Sequence, residues 1–168
     1  MSEPQSLPFE PAPPPPKIAA KVGGWVFPLL LRSPLHRVLP HHLLLLTVTY
    51  RDTGQERTLP MEYHEVDGRL LVVTQGRWRH QVSGGATVGV TLHGKRRRAH
   101  AEVQEDPDEV AAVYKRLLGP DLENAGSLDL VVKEHREPTL EELKALTAGT
   151  ALVYLDFEDA PAASAPTV

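Results

Sequence analysis

The sequence predicts a mainly β domain with helices, an α+β fold in which an antiparallel meander closes into a small barrel. Turn signals at 52–55, 67–68 and 93–94 separate apolar, strand-like runs between Leu43 and Glu105. An Asp-Gly pair such as that at 67–68 strongly favours a tight hairpin. An open sheet presents unpaired N–H and C=O groups at its edges, so the sheet needs closure or cover.

The meander is predicted from runs rich in Leu, Val and Thr, residues that suit a partly buried strand. Its five predicted strands are 43–50, 57–64, 70–74, 87–92 and 95–103.

Two helices and two further strands are predicted after the meander. Asp106-Pro107 is typical of a helix start, and Gly119 followed by Pro120 predicts the end of that helix. Thr139 followed by Glu142 three residues later has the pattern of a capping box, which predicts a second, shorter helix. The remaining strand-like runs are 128–132 and 151–157.

The prolines and small residues at the two ends of the chain set the predicted domain limits. Residues 1–16 contain a polyproline run and are expected to form a disordered tail. Residues 159–168 are expected to be loose. The segment 17–158 is then one domain, an ordinary size for a chain whose residues are 41% apolar.

The apolar segment 18–31 is predicted to be an N-terminal helix that covers one barrel opening. As a helix it would span only ~21 Å, too short for a ~30 Å hydrocarbon core. Glu3 and Glu10 precede it, which argues against a secretory signal, so a cytoplasmic protein is expected. The alternative is a peripheral membrane anchor that uses Trp25 and Phe27 as interfacial residues.

Composition excludes several kinds of chemistry. The chain has no cysteine, so it has neither a disulfide nor a thiolate site. Its eight histidines lack metal-ligand spacing, and no nucleophile elbow or phosphate-loop motif occurs, so no metal site is expected. Between Arg77 and Arg98 lie six basic residues and no acidic ones, whereas 102–159 holds fifteen acidic against five basic. This distribution suits a compact anionic ligand better than a nucleic acid.

One turn carries the residues best suited to hold a phosphate. Arg51, Thr53, Gly54 and Arg57 could direct backbone N–H groups, a hydroxyl and two guanidinium groups to one point. The alternative is that Thr53 and Gly54 are ordinary turn chemistry and that Arg57 is a solvated strand residue.

A second candidate is the loop around Trp78, which Arg77, Arg79 and His80 flank. A tryptophan beside cationic groups could form the rim of an aromatic ligand site, and a core tryptophan is the alternative. The basic run 95–98 alternates across a predicted strand, and a solvated barrel face explains it more simply.

Several of these motifs together resemble the deazaflavin-dependent nitroreductase family, which belongs to the flavin-reductase-like split β-barrels related to pyridoxamine phosphate oxidases. The resemblance covers 33–118. The motifs that carry it are Ser33-Pro34-Leu35-His36, the segment 46–60 with Thr53-Gly54-x-x-Arg57-Thr58-x-Pro60, Arg77-Trp78-Arg79, the segment 88–94, and Ala101-Glu102-Val103.

The resemblance implies an antiparallel split β-barrel of six to seven strands that binds a reduced deazaflavin coenzyme, less often FMN. Such proteins pass a hydride to quinones, nitroaromatics or other electrophilic acceptors. Because the cofactor carries the hydride, no catalytic residue is expected. The predicted cofactor-binding residues are Arg51, Thr53, Gly54, Arg57, Thr58, Pro60, Thr74, Trp78, Arg79 and His80.

This chain departs from the family pattern at Tyr50 and Asp52, and Glu56 adds a second carboxylate beside the expected phosphate. Two hypotheses follow. The first is a deazaflavin- or FMN-dependent reductase with a small-molecule acceptor, in which Tyr63, His64 and His80 are the candidate proton donors. The second is a non-catalytic split barrel that binds flavin, haem or lipid. Related barrels dimerise through sheet faces, so a homodimer is also an expectation.

Overall fold

A computed structural model describes residues 8–11, 42–128, 130–134 and 136–158 of the chain. A 3-10 helix lies at Ala125–Leu128. The described strands and helices are β1 (Phe9–Pro11), β2 (Leu43–Thr49), β3 (Glu56–Glu62), β4 (His64–Val66), β5 (Arg69–Thr74), α1 (Arg79–Val82), β6 (Ala86–Leu92), β7 (Lys95–Gln104), α2 (Pro107–Leu118), β8 (Leu130–Val132), α3 (Leu140–Leu146) and β9 (Ala151–Phe157).

The chain divides into two compact units, where the sequence predicts one domain over 17–158. The sheet unit holds the described residues 42–104 and 151–158. The helical unit holds 8–11 and the described part of 105–150.

The sheet unit is a seven-stranded antiparallel sheet with the order β3-β2-β6-β7-β9-β5-β4. β3, at one edge, also contacts β5, which lies next to the other edge. The sheet therefore curls toward itself, and the predicted α+β class with a split β-barrel is confirmed. The predicted N-terminal helix over 18–31 lies outside the described residues. None of the helices that the structure describes has the length and apolar character needed to cross a membrane.

The predicted simple meander is wrong at two points. The predicted strand 57–64 divides between β3 and β4, which lie at opposite edges of the strand order. β5 pairs with β9 and β6 pairs with β2, so the chain does not continue from β5 into a neighbouring β6. Instead β9 lies between β5 and β7. Local hairpin signals indicate only which consecutive strands pair, and long-range pairs depend on which edges remain open after folding.

The tight turns form as the sequence predicts. Asp67 and Gly68 have φ values of 53° and 76°, and His93 and Gly94 have 48° and 77°. Two successive residues in the left-handed region are typical of the hairpin turns whose twist matches that of the flanking strands.

Alternating residues of the sheet fill the interior of the split barrel. Leu44, Leu46 and Val48 of β2 point into one apolar cluster, and their neighbours in the cluster include Val90 and Val153. Each fully buried side chain of this kind contributes ~1.5–3 kcal/mol relative to an exposed one. The opposite, outer face carries polar side chains such as Thr47 and Thr49, and it also carries the buried Leu45, Leu71 and Leu152.

Both predicted helix starts in the helical unit are confirmed. The Asp106 carboxylate accepts hydrogen bonds from the backbone N–H groups of Asp108 and Glu109, at 3.0 and 3.1 Å. Thr139 and Glu142 form a reciprocal capping box at the start of α3. These side chains satisfy N–H groups that the first helical turn leaves without a partner.

The structure differs from the predicted disordered tail at Phe9–Pro11. This segment forms β1, which pairs with β8 in a two-stranded antiparallel sheet. Phe9 is buried, and the Pro8 carbonyl accepts a hydrogen bond from the Lys133 N–H at 2.8 Å. Pro11 occupies the last strand position, where the absence of an N–H is tolerated. The burial of Phe9 and the pairing with β8 thus give a regular structure to part of a segment whose proline-rich composition predicts disorder.

We predict that Phe9→Ala destabilises the protein, because it removes an aromatic ring that is only 4% exposed. The expected loss in unfolding free energy is about 3 kcal/mol, at the lower end of the range for buried aromatic residues. Denaturant unfolding measures it. Val131→Ala is the control, since Val131 belongs to the same two-stranded sheet and is 47% exposed. Equal stability of the two variants would contradict a structural role for β1.

Candidate functional site

The turn between β2 and β3 uses its own backbone groups. The Tyr50 N–H donates to the Gln55 carbonyl at 2.8 Å, and the Gly54 N–H donates to the Tyr50 carbonyl at 2.7 Å. The Gln55 N–H donates to Thr53 Oγ1 at 3.3 Å. Gly54 has a φ of 67°, a conformation that favours glycine. These bonds agree with the turn-chemistry interpretation of Thr53 and Gly54.

The turn and the loop around α1 lie together, as the two candidate motifs require. The Arg51 N–H donates to Gln81 Oε1 at 2.9 Å, and its guanidinium donates to the Ser83 carbonyl at 2.8 Å. Arg57 is exposed on β3, and its guanidinium lies over the Tyr50 ring, 4.8 Å from the centroid. Two predicted cationic residues therefore stand at one end of the sheet unit, each already engaged within the protein.

Trp78 lies in the interior cluster and is only 7% exposed, so its surroundings match the core alternative. A Cβ added to Gly76 would lie 2.7 Å from the Trp78 ring. The buried Thr74 supports the same loop, because its Oγ1 accepts a hydrogen bond from the Gly76 N–H at 2.9 Å. Arg79 donates to the Gly76 carbonyl at 3.5 Å, and His80 is exposed.

A pocket of about 700 Å³ opens on the outer face of the sheet, close to the turn. Thr49 and Glu56 line it and form the last β2–β3 pair before the turn begins. The lining residues come from β2, β3, β6 and β7 and from the residue after β9: Thr47, Thr49, Glu56, Thr87, Val88, Gly89, Arg96, Arg97, Arg98 and Glu158.

The floor of this outer-face pocket is built around a glycine. Gly89 pairs with Thr47 of β2, and a Cβ added to Gly89 would lie 3.2 Å from Thr47 Cβ and 3.5 Å from the Arg96 guanidinium. Thr47 Oγ1 lies 3.0 Å from Thr58 Oγ1, so the predicted Thr58 contacts a pocket residue. Because Gly89 has no side chain, Thr47 and the Arg96 guanidinium can approach its backbone closely.

Opposite charges face each other across the pocket. Arg96 Nη2 lies 3.9 Å from Glu56 Oε2, and Arg98 Nε lies 3.4 Å from Glu158 Oε2. Thr87 Oγ1 also donates to Glu158, at 3.3 Å. All four charged side chains are largely exposed, so each pair contributes at most ~1 kcal/mol.

Arg97 belongs to the opposite face, because alternate residues of a strand point in opposite directions. Its guanidinium lies 3.8 Å from the centroid of the Phe157 ring, which packs against the interior cluster. Its side chain therefore adds little to the charge balance of the outer-face pocket.

Most of these pocket residues do not stand out in the sequence. The alternation of the basic run 95–98 predicts a solvated face, and no sequence signal marks Thr47, Thr49 or Gly89 as ligand contacts. Strand alternation does place Arg96 and Arg98 on one face, but only the register shows that Gly89 lies beside them. Pro60, a predicted site residue, is exposed on β3 and pairs with Leu45.

Two of the candidate proton donors lie at the far end of β3. Tyr63 is buried, which raises the pKa of its hydroxyl, and the charge of Glu65 raises it further. Burial lowers the pKa of His64, and the nearby His42 adds to the effect. Tyr63 follows Glu56 by seven residues, roughly 23 Å of extended strand. These groups are therefore not part of the outer-face pocket.

Within the described ranges, no group of three or more His, Asp or Glu side chains could hold a metal ion.

No protein-family model matches the sequence, and no curated protein matches it. Among solved structures, the chain is similar to General Stress Protein 26 from Bacillus anthracis, with 15% identity over 76% of this chain and 89% of that one and a TM-score of 0.42. It is also similar to an FAD and heme binding protein from Mycobacterium smegmatis, with 14% identity over 91% of this chain and 74% of that one and a TM-score of 0.41.

A third similar structure is a pyridoxamine 5'-phosphate oxidase-related, FMN binding protein from Nostoc punctiforme. Its identity is 14% over 80% of this chain and 79% of that one, with a TM-score of 0.40. Similarity at this level assigns neither a family nor an activity to this chain.

We predict that His64 makes the protein less stable in mild acid. Its folded-state pKa lies below its ordinary value of 6.5, so the unfolded chain takes up the proton more readily. The stability that depends on neutral His64 is present above about pH 6.5 and is lost as the pH falls below it. His64→Gln should therefore flatten the fall in unfolding free energy between about pH 7.5 and pH 5.5.

Thermal or denaturant unfolding across this pH range measures the effect. His80→Gln is the control, because His80 is an exposed histidine of the same sheet unit. If both variants follow the wild-type pH curve, His64 is not the titrating group.

Proposed function

We propose that this protein binds a flavin-type cofactor in the outer-face pocket and passes a hydride from it to a small acceptor. The sequence resemblance indicates a reduced deazaflavin coenzyme, with FMN as the alternative, and a quinone, a nitroaromatic or another electrophile as the acceptor. The observation that carries this proposal is the pocket itself. Its volume of about 700 Å³ is within the range of small-molecule sites, and it opens to solvent beside the predicted turn.

The pocket residues fit the ring system of such a cofactor. Ring carbonyl and nitrogen atoms accept hydrogen bonds, and the hydroxyls of Thr47, Thr49 and Thr87 can donate them. The absence of a side chain at Gly89 lets the Arg96 guanidinium lie close to the backbone of the pocket floor. Guanidinium planes stack on aromatic rings.

The phosphate end of the cofactor is assigned to the turn, where Arg51 and Arg57 stand. Arg57 pairs with the inward-pointing Val48, so its side chain leaves β3 on the face opposite the pocket and has to reach a phosphate around the end of the sheet. Arg57 is exposed and is held over Tyr50 only by a cation–π contact, so it can turn toward an anion. The other residues of the predicted set have supporting positions in this proposal. Thr58 orients Thr47, Thr74 holds the loop, and Trp78 packs beneath it.

In this proposal the cofactor supplies the hydride when bound, and the chain supplies orientation and a partly shielded surface. No side chain must act as a nucleophile or a base. This agrees with the position of Tyr63 and His64, which lie at the other end of β3 from the pocket residue Glu56.

A second candidate function is binding without catalysis. The observation that favours it is the presence of Glu56 and Glu158 in the pocket, where each faces an arginine. Absorption spectra of the protein with reduced deazaflavin coenzyme and with FMN test binding, and stopped-flow oxidation by a quinone tests hydride transfer. A bound cofactor that no acceptor oxidises faster than the free cofactor would favour the second candidate.

We predict that Gly89→Val blocks the cofactor. The new side chain would displace Thr47 and the Arg96 guanidinium in the pocket, because its Cβ alone would lie 3.2 Å from Thr47 Cβ. A β-branched residue suits the strand backbone itself. Riboflavin affinity should fall at least about tenfold, a loss of ~1.4 kcal/mol or more. Thr91→Val is the matched control, because it lies on the same strand and face, two residues away, outside the lining set. If both variants bind riboflavin equally well in a fluorescence titration, the ring does not bind in the outer-face pocket.

We also predict that Arg57→Ala weakens FMN binding by ~1.5–3 kcal/mol, the range for a hydrogen bond to a charged group. Riboflavin, which lacks the phosphate, should bind equally to the wild type and the variant. Arg57→Lys should retain part of the FMN affinity, because it keeps the charge but not the fork geometry. Calorimetric titration measures all of these affinities, and an equal loss for both ligands would place Arg57 under the ring instead.

A further inference from the structure

Resting on the proposed function, we infer that Glu56 and Glu158 determine what the outer-face pocket accepts: they reserve it for uncharged planar groups and exclude phosphate. The pocket would then receive the cofactor ring or a neutral acceptor, and any phosphate would lie outside it. The two carboxylates are thus specificity-determining residues.

The charge balance of the pocket is the first step of the argument. Arg96 and Arg98 contribute two positive charges to its outer face, and Glu56 and Glu158 contribute two negative ones. Arg97 also lines the pocket, but its guanidinium lies over the Phe157 ring on the opposite face and is left out of this balance. Each arginine faces one carboxylate, at 3.9 and 3.4 Å. The pocket is therefore neutral before any ligand enters, although the run 95–98 by itself is strongly basic.

The origin of the carboxylates is the second step. Glu56 lies on β3, and Glu158 directly follows β9, so both reach the pocket from strands other than β7. The Glu158 position is supported twice, since its N–H donates to the Arg98 carbonyl at 3.2 Å and its side chain accepts from Thr87. A dianion in the pocket would lie between the Glu56 and Glu158 carboxylates. If both carboxylates moved away from it, they would lose their contacts with Arg96, Arg98 and Thr87.

The remaining groups of the pocket favour a neutral ligand. The threonine hydroxyls donate hydrogen bonds without adding charge. The arginines keep their carboxylate partners when such a ligand binds. A neutral ring therefore leaves both ion pairs intact, whereas a phosphate that approaches either arginine is repelled by the carboxylate beside it.

The experiment is a titration of the full-length, ¹⁵N-labelled protein, followed through the amide signals of Gly89 and Thr47 at low, fixed ionic strength, where exposed charges are least screened. The probes are riboflavin, inorganic phosphate and pyrophosphate. The test variant is Glu56→Gln with Glu158→Gln, and the single variants repeat the test if the double variant does not fold. The control variant is Glu62→Gln with Glu65→Gln, two exposed carboxylates of the same unit outside the pocket.

Riboflavin should shift both signals in the wild type, and neither phosphate nor pyrophosphate should do so at millimolar concentrations. In the test variant, pyrophosphate should bind at least about tenfold more tightly than in the wild type, with riboflavin affinity changed by less than about threefold. The control variant should behave as the wild type does.

Pyrophosphate binding that is equal in the wild type and the test variant would overturn the inference. If riboflavin binds none of the proteins while pyrophosphate binds only the test variant, the proposed function fails and the charge-based exclusion stands. If riboflavin binds but loses affinity in the test variant as strongly as pyrophosphate gains it, the carboxylates are ligand contacts and the inference is wrong.

Discussion

The pairing of β2 with β6 is the contact on which the candidate site depends. Its register sets Gly89 opposite Thr47, and the β2–β3 pairing sets Thr58 beside Thr47 on the other side. A slip of one residue would turn Leu46 to the outer face and Thr47 into the interior. The apolar cluster that holds Leu46 and Val48 inside therefore also keeps the pocket floor in place.

The outer face of the sheet unit carries charges that are mostly matched. Arg69 bonds to Asp156 at 2.6 and 2.8 Å and to Glu102 at 2.9 Å, and the Asp156 contact is the main cause of its raised pKa. The Arg98–Glu158 pair continues this pattern at the pocket. Basic residues concentrated in the middle of the chain thus meet carboxylates that come from β9 and from the far end of β7.

Elements governed by local chemistry could be predicted closely. The start of α2 follows from Asp106 and Pro107, that of α3 from Thr139 and Glu142, and the hairpin between β4 and β5 from the turn at 67–68. These signals act over a few residues, so all of the groups that interact lie close together in the sequence. The strand β1 was missed because its one apolar anchor, Phe9, matters only once β8 is beside it.

By itself the sequence determined the α+β class, the helix starts, the tight turns and the presence of a basic run. Only the tertiary structure decided that β9 separates β5 from β7, that Trp78 lies in the interior, and that Gly89 lines a pocket together with threonines and arginines. The physical reason is the distance along the chain. A local pattern sets the conformation of a segment, whereas the partners of a side chain can lie far along the chain. Thr87 and Glu158 are 71 residues apart, and Arg69 and Asp156 are 87 apart.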